Sequence, residues 1–103
     1  MELGIVVIDD RYGAHALGLL RAAQERGWVT RCFLTDRGTF LLGDPEFRVL
    51  VDQGRTQFSV CEHSIERYAD NGVSAEGLED KLVVGGQYQN AELVHNCDQV
   101  LVF

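Results

Sequence analysis

The sequence predicts an α/β protein, a three-layer α/β/α sandwich in which helices cover both faces of a mainly parallel five-stranded sheet. Apolar strand segments alternate with segments whose apolar residues recur at helical spacing, in the order β-α-β-α-β-α-β-α-β. The connections between strands are too long for hairpins, which favours parallel strands joined by crossover helices. With 103 residues, the chain has room for a single domain, residues 1–103.

The composition is that of a globular protein with an acidic surface. Hydrophobic residues make up 46% of the chain and charged residues 24%, and the net charge is −7. Such a surface repels nucleic-acid phosphates and anionic lipid headgroups, so direct nucleic-acid binding and membrane binding are not expected. No apolar stretch approaches the roughly 20 residues of a membrane helix, and the first residues lack the basic region of a signal peptide. We therefore expect a cytoplasmic protein.

The first three elements follow one another closely. Leu3–Ile8 is a continuous apolar run bounded by aspartates, as expected for a strand that is buried on both faces. From Gly13 to Arg26, small and apolar residues recur at helical spacing, and Gly27 can supply a left-handed C-terminal cap. Thr30–Leu34 is the second strand, and it is closed by a turn.

The middle of the chain contains the clearest helix start. Asp44-Pro45-Glu46 combines an N-cap carboxylate, a proline in the first turn and an acid near the positive end of the helix dipole. Gly54 ends this second helix. In Gln57–Cys61, apolar and polar residues alternate as in a third strand, and a third helix then stops at Asn71-Gly72.

The last third of the chain repeats the strand-helix-strand order. Val73–Asp80 is expected to be a loop and Lys81–Val84 the fourth strand. Gly85-Gly86 opens the fourth helix with a tight turn, and Gln99–Phe103 is the fifth strand. Because the two glycines lack the G-x-G-x-x-G spacing, they give little support to a dinucleotide site.

Three polar features follow predicted strands. Asp9-Asp10 comes after the first strand, Thr35-Asp36-Arg37-Gly38 after the second, and Cys61 ends the third. The carboxyl ends of parallel strands meet at one edge of the sheet, where ligands and catalytic groups usually lie. The sequence therefore predicts a site at this edge.

Cys61 is the best placed of the three cysteines. Their odd number and the absence of CxxC spacing favour neither a disulfide framework nor a zinc site. At an accessible strand end, the first amides of the next helix would stabilise a Cys61 thiolate, and His63 can add positive charge or move a proton. The alternative is that Cys61 is a small buried hydrophobe. We expect Cys32, inside a strand, and Cys97, at a helix-to-strand junction, to be buried.

Other chemistries have less support. Cys61–Arg67 matches the C-x5-R phosphate loop of cysteine phosphatases, but it contains no glycine and places two glutamates where an anion would bind. The three histidines have no metal-ligand spacing. We therefore expect neither a metal nor a cofactor.

Four segments, in their order and spacing, resemble the DsrE/DsrF-like sulfur-relay proteins along nearly the whole chain. The segments are Ala14–Leu20 with Gly27-Trp28, Cys32–Gly38, Val60–Ser64 through Gly72-Val73, and Asn96–Phe103.

The resemblance implies a DsrEFH-like fold and a cysteine that accepts sulfane sulfur as a persulfide and passes it on. By position, Cys61 matches the family cysteine, so we expect Cys61 and His63 to be the catalytic residues of a sulfur carrier or sulfurtransferase. The residues expected to border the pocket are Ser64, Thr35, Asp36 and Gly38. The partners implied are a sulfur donor protein and a sulfur acceptor protein.

The resemblance also implies a homo-oligomer. The apolar run Phe40-Leu41-Leu42 lies in a connecting segment and is expected to be buried between copies of the chain. The alternative for this run is that it folds back onto the core of its own chain. The alternative for the protein is a non-catalytic oligomeric interaction subunit with the same fold.

Overall fold

The computed structural model describes residues 1–103 as an α/β fold with five parallel strands. The strands are β1 Glu2–Val7, β2 Val29–Leu34, β3 Thr56–Cys61, β4 Leu82–Gly85 and β5 Gln99–Val102. They lie side by side in the order β4-β3-β2-β1-β5. The α-helices are α1 Gly13–Glu25, α2 Pro45–Gln53, α3 Glu62–Arg67 and α4 Gln87–Asn96. The predicted fold class is confirmed. None of the helices is both long and apolar enough to cross a bilayer.

The larger core lies between the sheet and the helices α1 and α2. Alternate residues of β1 point into it, since Ile5 and Val7 are fully buried on this face. The helices contribute the apolar faces that the sequence predicts: Ala16, Leu17, Leu20 and Ala23 from α1, and Phe47, Leu50 and Val51 from α2.

A smaller core lies on the opposite face, under α4. It consists of Val6 from β1, Phe33 from β2, Cys61 from β3 and Leu93 from α4. The helix approaches the sheet closely because β1 has a glycine there: a Cβ on Gly4 would lie 2.5 Å from Cδ2 of Leu93. The buried side of β3 at its carboxyl end therefore faces α4.

The predicted end of α1 and start of α2 are confirmed, whereas α3 is shorter than predicted: it ends at Arg67 and a separate 3₁₀ turn, Ala69–Asn71, precedes Gly72. Gly27 has a φ of +75° just beyond α1, and the chain then folds back so that the Trp28 N–H donates to the Ala23 carbonyl at 3.0 Å. At the start of α2, the Asp44 carboxylate accepts from the N–H groups of Glu46 and Phe47. These local signals fix where α1 ends and where α2 begins.

The connection between β2 and α2 differs from the prediction. Instead of one turn and an exposed run, Asp36–Gly43 forms a continuous 3₁₀ segment. This winding turns Leu41 and Leu42 inward, where they are 4% and 2% exposed in the larger core. The expectation that the run is free for contacts between copies is wrong for these two leucines, and the alternative, folding onto the core of the same chain, is confirmed.

Candidate functional site

The carboxyl ends of β2 and β3 bring four of the predicted site residues together. Cys61 ends β3, Thr35 and Asp36 follow β2, and Ser64 lies in the first turn of α3. The backbone N–H of Asp36 donates to Ser64 Oγ at 2.8 Å, and Thr35 Oγ1 lies 3.5 Å from the same oxygen. The two neighbouring strand ends are thus linked through the hydroxyl of Ser64.

The Cys61 side chain lies on the α4 side of the sheet and is 6% exposed. It packs in the smaller core with Val6, Phe33 and Leu93. The sequence predicts an accessible thiol at this strand end, whereas the structure places Cys61 among the buried residues.

The environment of Cys61 nevertheless favours the thiolate. Burial, the largest single influence, raises the pKa of the Cys61 thiol. Nearby donor groups, which are the hydroxyl and backbone N–H of Ser64, the Thr35 hydroxyl and the His63 backbone N–H, together hold that pKa below its ordinary value. A lower pKa means a larger thiolate fraction near neutral pH, and the thiolate is the nucleophile.

The other two cysteines lack this support. Cys32 is fully buried in β2, and burial raises the pKa of its thiol far above the ordinary value. Cys97 is partly buried beside the smaller core, and burial is the largest cause of the raised pKa of its thiol. Among the three thiols, Cys61 alone has a lowered pKa.

The loop after β2 has a strained backbone at Asp36. Its φ is +48°, a left-handed conformation that is uncommon for residues other than glycine. The Tyr68 hydroxyl donates a short hydrogen bond to Asp36 Oδ1, and the Arg67 guanidinium lies 3.9 Å from the same oxygen. Strain of this kind is often found at functional sites, held in place by surrounding contacts.

Gly38 contributes through its backbone. Its N–H donates to the carbonyls of Ile8 and Thr35, both at 2.9 Å. A Cβ at this position would lie 1.9 Å from the Val7 carbonyl oxygen, so only glycine fits here without a shift of the loop or of β1. The predicted border residue is thus what allows the loop to pass close to the end of β1.

His63 is exposed, and the group that it presents to Cys61 is its backbone N–H. Asp9 and Asp10, which follow β1, are each paired with an arginine. Arg11 binds Asp9 through its guanidinium and holds the pKa of that carboxyl below its usual value, while Arg37 Nε lies 3.3 Å from Asp10 Oδ1.

Tyr68 is the site residue that sequence reasoning missed. It lies four residues after Ser64, which places both on one side of a helical turn, and its ring packs against Phe40 with centroids 5.0 Å apart. The i, i+4 spacing is visible in the sequence, but the partner, Asp36, is 32 positions away.

Neither a metal cluster nor a cavity lies at Cys61. The structure has no group of three or more His, Cys, Asp or Glu side chains that could hold a metal ion. A cavity of about 150 Å³ lies beside α4, and Cys61 is not among the residues that line it. Its lining residues are Arg31, Gln57, Phe58, Ser59, Val83, Gln89, Glu92 and Leu93.

Comparison with known proteins supports the fold. No family model and no curated protein matches the sequence. The crystal structure of the YchN protein from E. coli, a DsrE/DsrF-like fold protein, is similar, with a TM-score of 0.74 over 100% of both chains and 18% sequence identity. At this identity, the likeness extends to the DsrE-like fold, in agreement with the resemblance seen in the sequence.

Proposed function

We propose that this protein is a sulfur carrier that holds sulfane sulfur as a persulfide on Cys61 and passes it to an acceptor thiol. The observation that carries the proposal is the set of hydrogen-bond donors around Cys61 at the carboxyl edge of a DsrE-like sheet. These donors favour the thiolate, which both halves of the transfer require.

In the first step, the Cys61 thiolate attacks the outer sulfur of a donor persulfide. A new S–S bond forms between Cys61 and that sulfur, the S–S bond of the donor breaks, and the donor leaves as a thiolate. In the second step, an acceptor thiolate attacks the outer sulfur on Cys61, which regenerates the Cys61 thiolate. No electrons are gained or lost overall, so the cycle needs neither a redox cofactor nor a metal.

The residues around Cys61 have separate roles in this proposal. The hydroxyls of Ser64 and Thr35 stabilise negative charge on sulfur, as donors to thiolates do. Asp36 and Gly38 shape the loop that carries Thr35. His63, at the surface beside the thiol, exchanges a proton with an incoming or departing thiol.

A second function is favoured by the burial of Cys61. With 6% of the residue exposed, the thiol sits like a core residue. A non-catalytic interaction subunit with the same fold would have no need to expose it. The two functions differ in whether the folded protein takes up sulfur at Cys61.

The test is to incubate the folded protein with polysulfide or a persulfidated donor protein and to locate the added sulfur by peptide mass spectrometry. Trypsin places each cysteine in its own peptide: residues 32–37, 56–67 and 82–103. We expect the added 32 Da, one sulfur atom, on peptide 56–67. We expect Cys61→Ser to abolish loading and Cys97→Ser, the matched control, to load normally.

Two results would contradict the proposal. Equal loading of peptide 82–103, or normal loading of Cys61→Ser, would show that the site is assigned wrongly. If no peptide gains sulfur while the protein stays folded, the interaction subunit is the better description.

A further inference from the structure

The α4 side of the sheet is only partly covered. A Cβ on Gly4 would lie 2.5 Å from Cδ2 of Leu93, so α4 sits close over β1. The helix packs against β1 and β2, while the same face of the sheet is more open toward β4, where Val83 is 54% exposed. The cavity of about 150 Å³ lies between α4 and this open part of the sheet.

Arg31 lines this cavity and is poorly paired within the chain. The next residue of β2, Cys32, packs in the larger core, so Arg31 points to the α4 side. Its Nε is buried without a hydrogen-bond partner, and its ion pair with Glu2 is 3.5 Å long. A partly buried guanidinium that lacks hydrogen bonds costs free energy, so an anion that accepts from its remaining N–H groups would offset this cost.

A charge of the opposite sign lines the same cavity. Glu92 lies on α4, and its carboxylate forms none of the ion pairs of the chain, including one with Arg31. Between polar groups such as the Ser59 hydroxyl, the lining also has apolar side chains, Val83 and Leu93. The cavity thus offers a cation, an anion and an apolar surface to one small molecule.

We propose that this cavity binds a small α-amino acid, with its carboxylate at Arg31 and its ammonium group at Glu92. The planar fork of a guanidinium matches a carboxylate. Glu92 disfavours phosphate or sulfate, which bring negative charge without a compensating ammonium group. A cavity of this volume holds a molecule of about six non-hydrogen atoms, which is the size of alanine. The site does not include Cys61, so it goes beyond the proposed sulfur transfer and does not depend on it.

The experiment is a titration of the natural protein with L-alanine, propionate and ethylamine, followed by proton–nitrogen correlation NMR. Propionate has the carboxylate without the ammonium group, and ethylamine has the ammonium group without the carboxylate. We expect alanine to bind saturably in the millimolar range, as a ligand this small can, and to shift the signals of Arg31 Nε–H and Ser59 N–H. Each of the other two probes should bind about fivefold more weakly or worse, because it makes only one of the two charged contacts.

Two variants with matched controls assign the two charged contacts. Arg31→Gln should weaken alanine binding about tenfold or more, the scale of a charge-assisted hydrogen bond. Arg21→Gln is its control, because Arg21 lies on α1, on the opposite face of the sheet, and it should leave the affinity unchanged. Glu92→Gln should weaken the binding of alanine but not that of propionate. Its control is Glu25→Gln, an exposed residue of α1, which should change neither.

Several results would overturn the inference: no saturable shift at the cavity with alanine, equal affinities of the three probes, or unweakened alanine binding in Arg31→Gln. Tighter binding of inorganic phosphate than of alanine would also overturn it. If circular dichroism shows that Arg31→Gln is unfolded, Glu92→Gln decides, because Glu92 is exposed; an unchanged ratio of the alanine and propionate affinities then contradicts the proposal. The readout is ligand binding and not sulfur loading, so a failure here is distinguishable from a failure of the proposed function.

Discussion

At the scale of single residues, the three cysteines show how burial and hydrogen bonding decide acid strength. Cys32 and Cys61 are both buried, yet burial alone acts on Cys32, whereas hydrogen-bond donors from Ser64, Thr35 and His63 surround Cys61. The first environment penalises the charged thiolate and the second more than compensates that penalty. The two cysteines differ because Cys61 lies at a strand end, where free N–H groups converge, whereas Cys32 lies inside a strand.

This contrast predicts opposite effects of pH on stability. Folding raises the pKa of the Cys32 thiol. The contribution of this thiol to the free energy of unfolding is therefore fully present below the thiol pKa of the unfolded chain, about 8.5. As pH rises above that value, the contribution is lost by about 1.4 kcal/mol per pH unit. Cys32→Ala lacks this loss, so its stability deficit relative to the natural sequence should shrink between pH 8 and 10. Urea unfolding at several pH values measures the deficit.

Cys61→Ala is the control of opposite sign. Folding lowers the pKa of the Cys61 thiol. The contribution of this thiol to the free energy of unfolding is therefore present above the thiol pKa of the unfolded chain and is lost as pH falls through the pKa of the folded protein. The deficit of Cys61→Ala should therefore grow as pH rises into this range. If both deficits change in the same direction, the assignment of the two environments is wrong.

At the scale of elements, the 3₁₀ segment after β2 depends on a close backbone approach. Gly38 lies against β1 so tightly that a Cβ would be 1.9 Å from the Val7 carbonyl oxygen. Gly43, at the end of the same segment, has no atom within 4 Å of such a Cβ. The two glycines form a matched pair for testing the packing of the segment.

We expect Gly38→Ala to destabilise the fold by about 2–4 kcal/mol, because the loop or the end of β1 has to move. Gly43→Ala should change the stability by less than about 1 kcal/mol. Chemical denaturation of both variants measures the difference. Similar values for the two would show that the loop does not pass β1 as closely as described.

Sequence reasoning worked best where the signal is local. The N-cap Asp44 and the turn at Gly27 act within a few residues, and the structure has both. In parallel sheets, ligands and catalytic groups lie at the carboxyl ends of the strands. This rule correctly predicted that Thr35, Asp36 and Cys61 lie near one another, because it depends only on the order of the strands. These parts of the fold and the site follow from short-range patterns and from the alternation of elements.

The remaining features depend on contacts between distant segments. Leu41 packs against the start of α1, since a Cβ on Gly13 would lie 2.5 Å from Cδ2 of Leu41. The sequence around residue 41 contains no pattern that predicts this contact. The contact of Tyr68 with Asp36 and the clustering of Cys61 with Leu93 of α4 are likewise long-range. Such contacts follow from packing, so a single sequence does not reveal them.

At the scale of the whole molecule, the two faces and edges of the sheet are unequally covered. The helices α1 and α2 close the larger core, while α4 alone packs on the other face, against β1 and β2. The edge strand β5 keeps Leu101 and Val102 exposed at 39% and 60%. Exposed apolar residues on an edge strand favour pairing with another chain, so we propose that the homo-oligomer implied by the sequence resemblance forms through this edge.

We therefore expect multi-angle light scattering at micromolar concentration to give a mass of at least two chains of 11.5 kDa each. Val102→Lys should shift the mass toward that of the monomer, because it places a charge on the apolar edge. Val49→Lys is the matched control: Val49 is 52% exposed on α2, on a surface away from this edge strand, and the substitution should leave the mass unchanged. A monomeric natural chain would remove the proposed assembly, and equal dissociation by both variants would remove β5 as its contact.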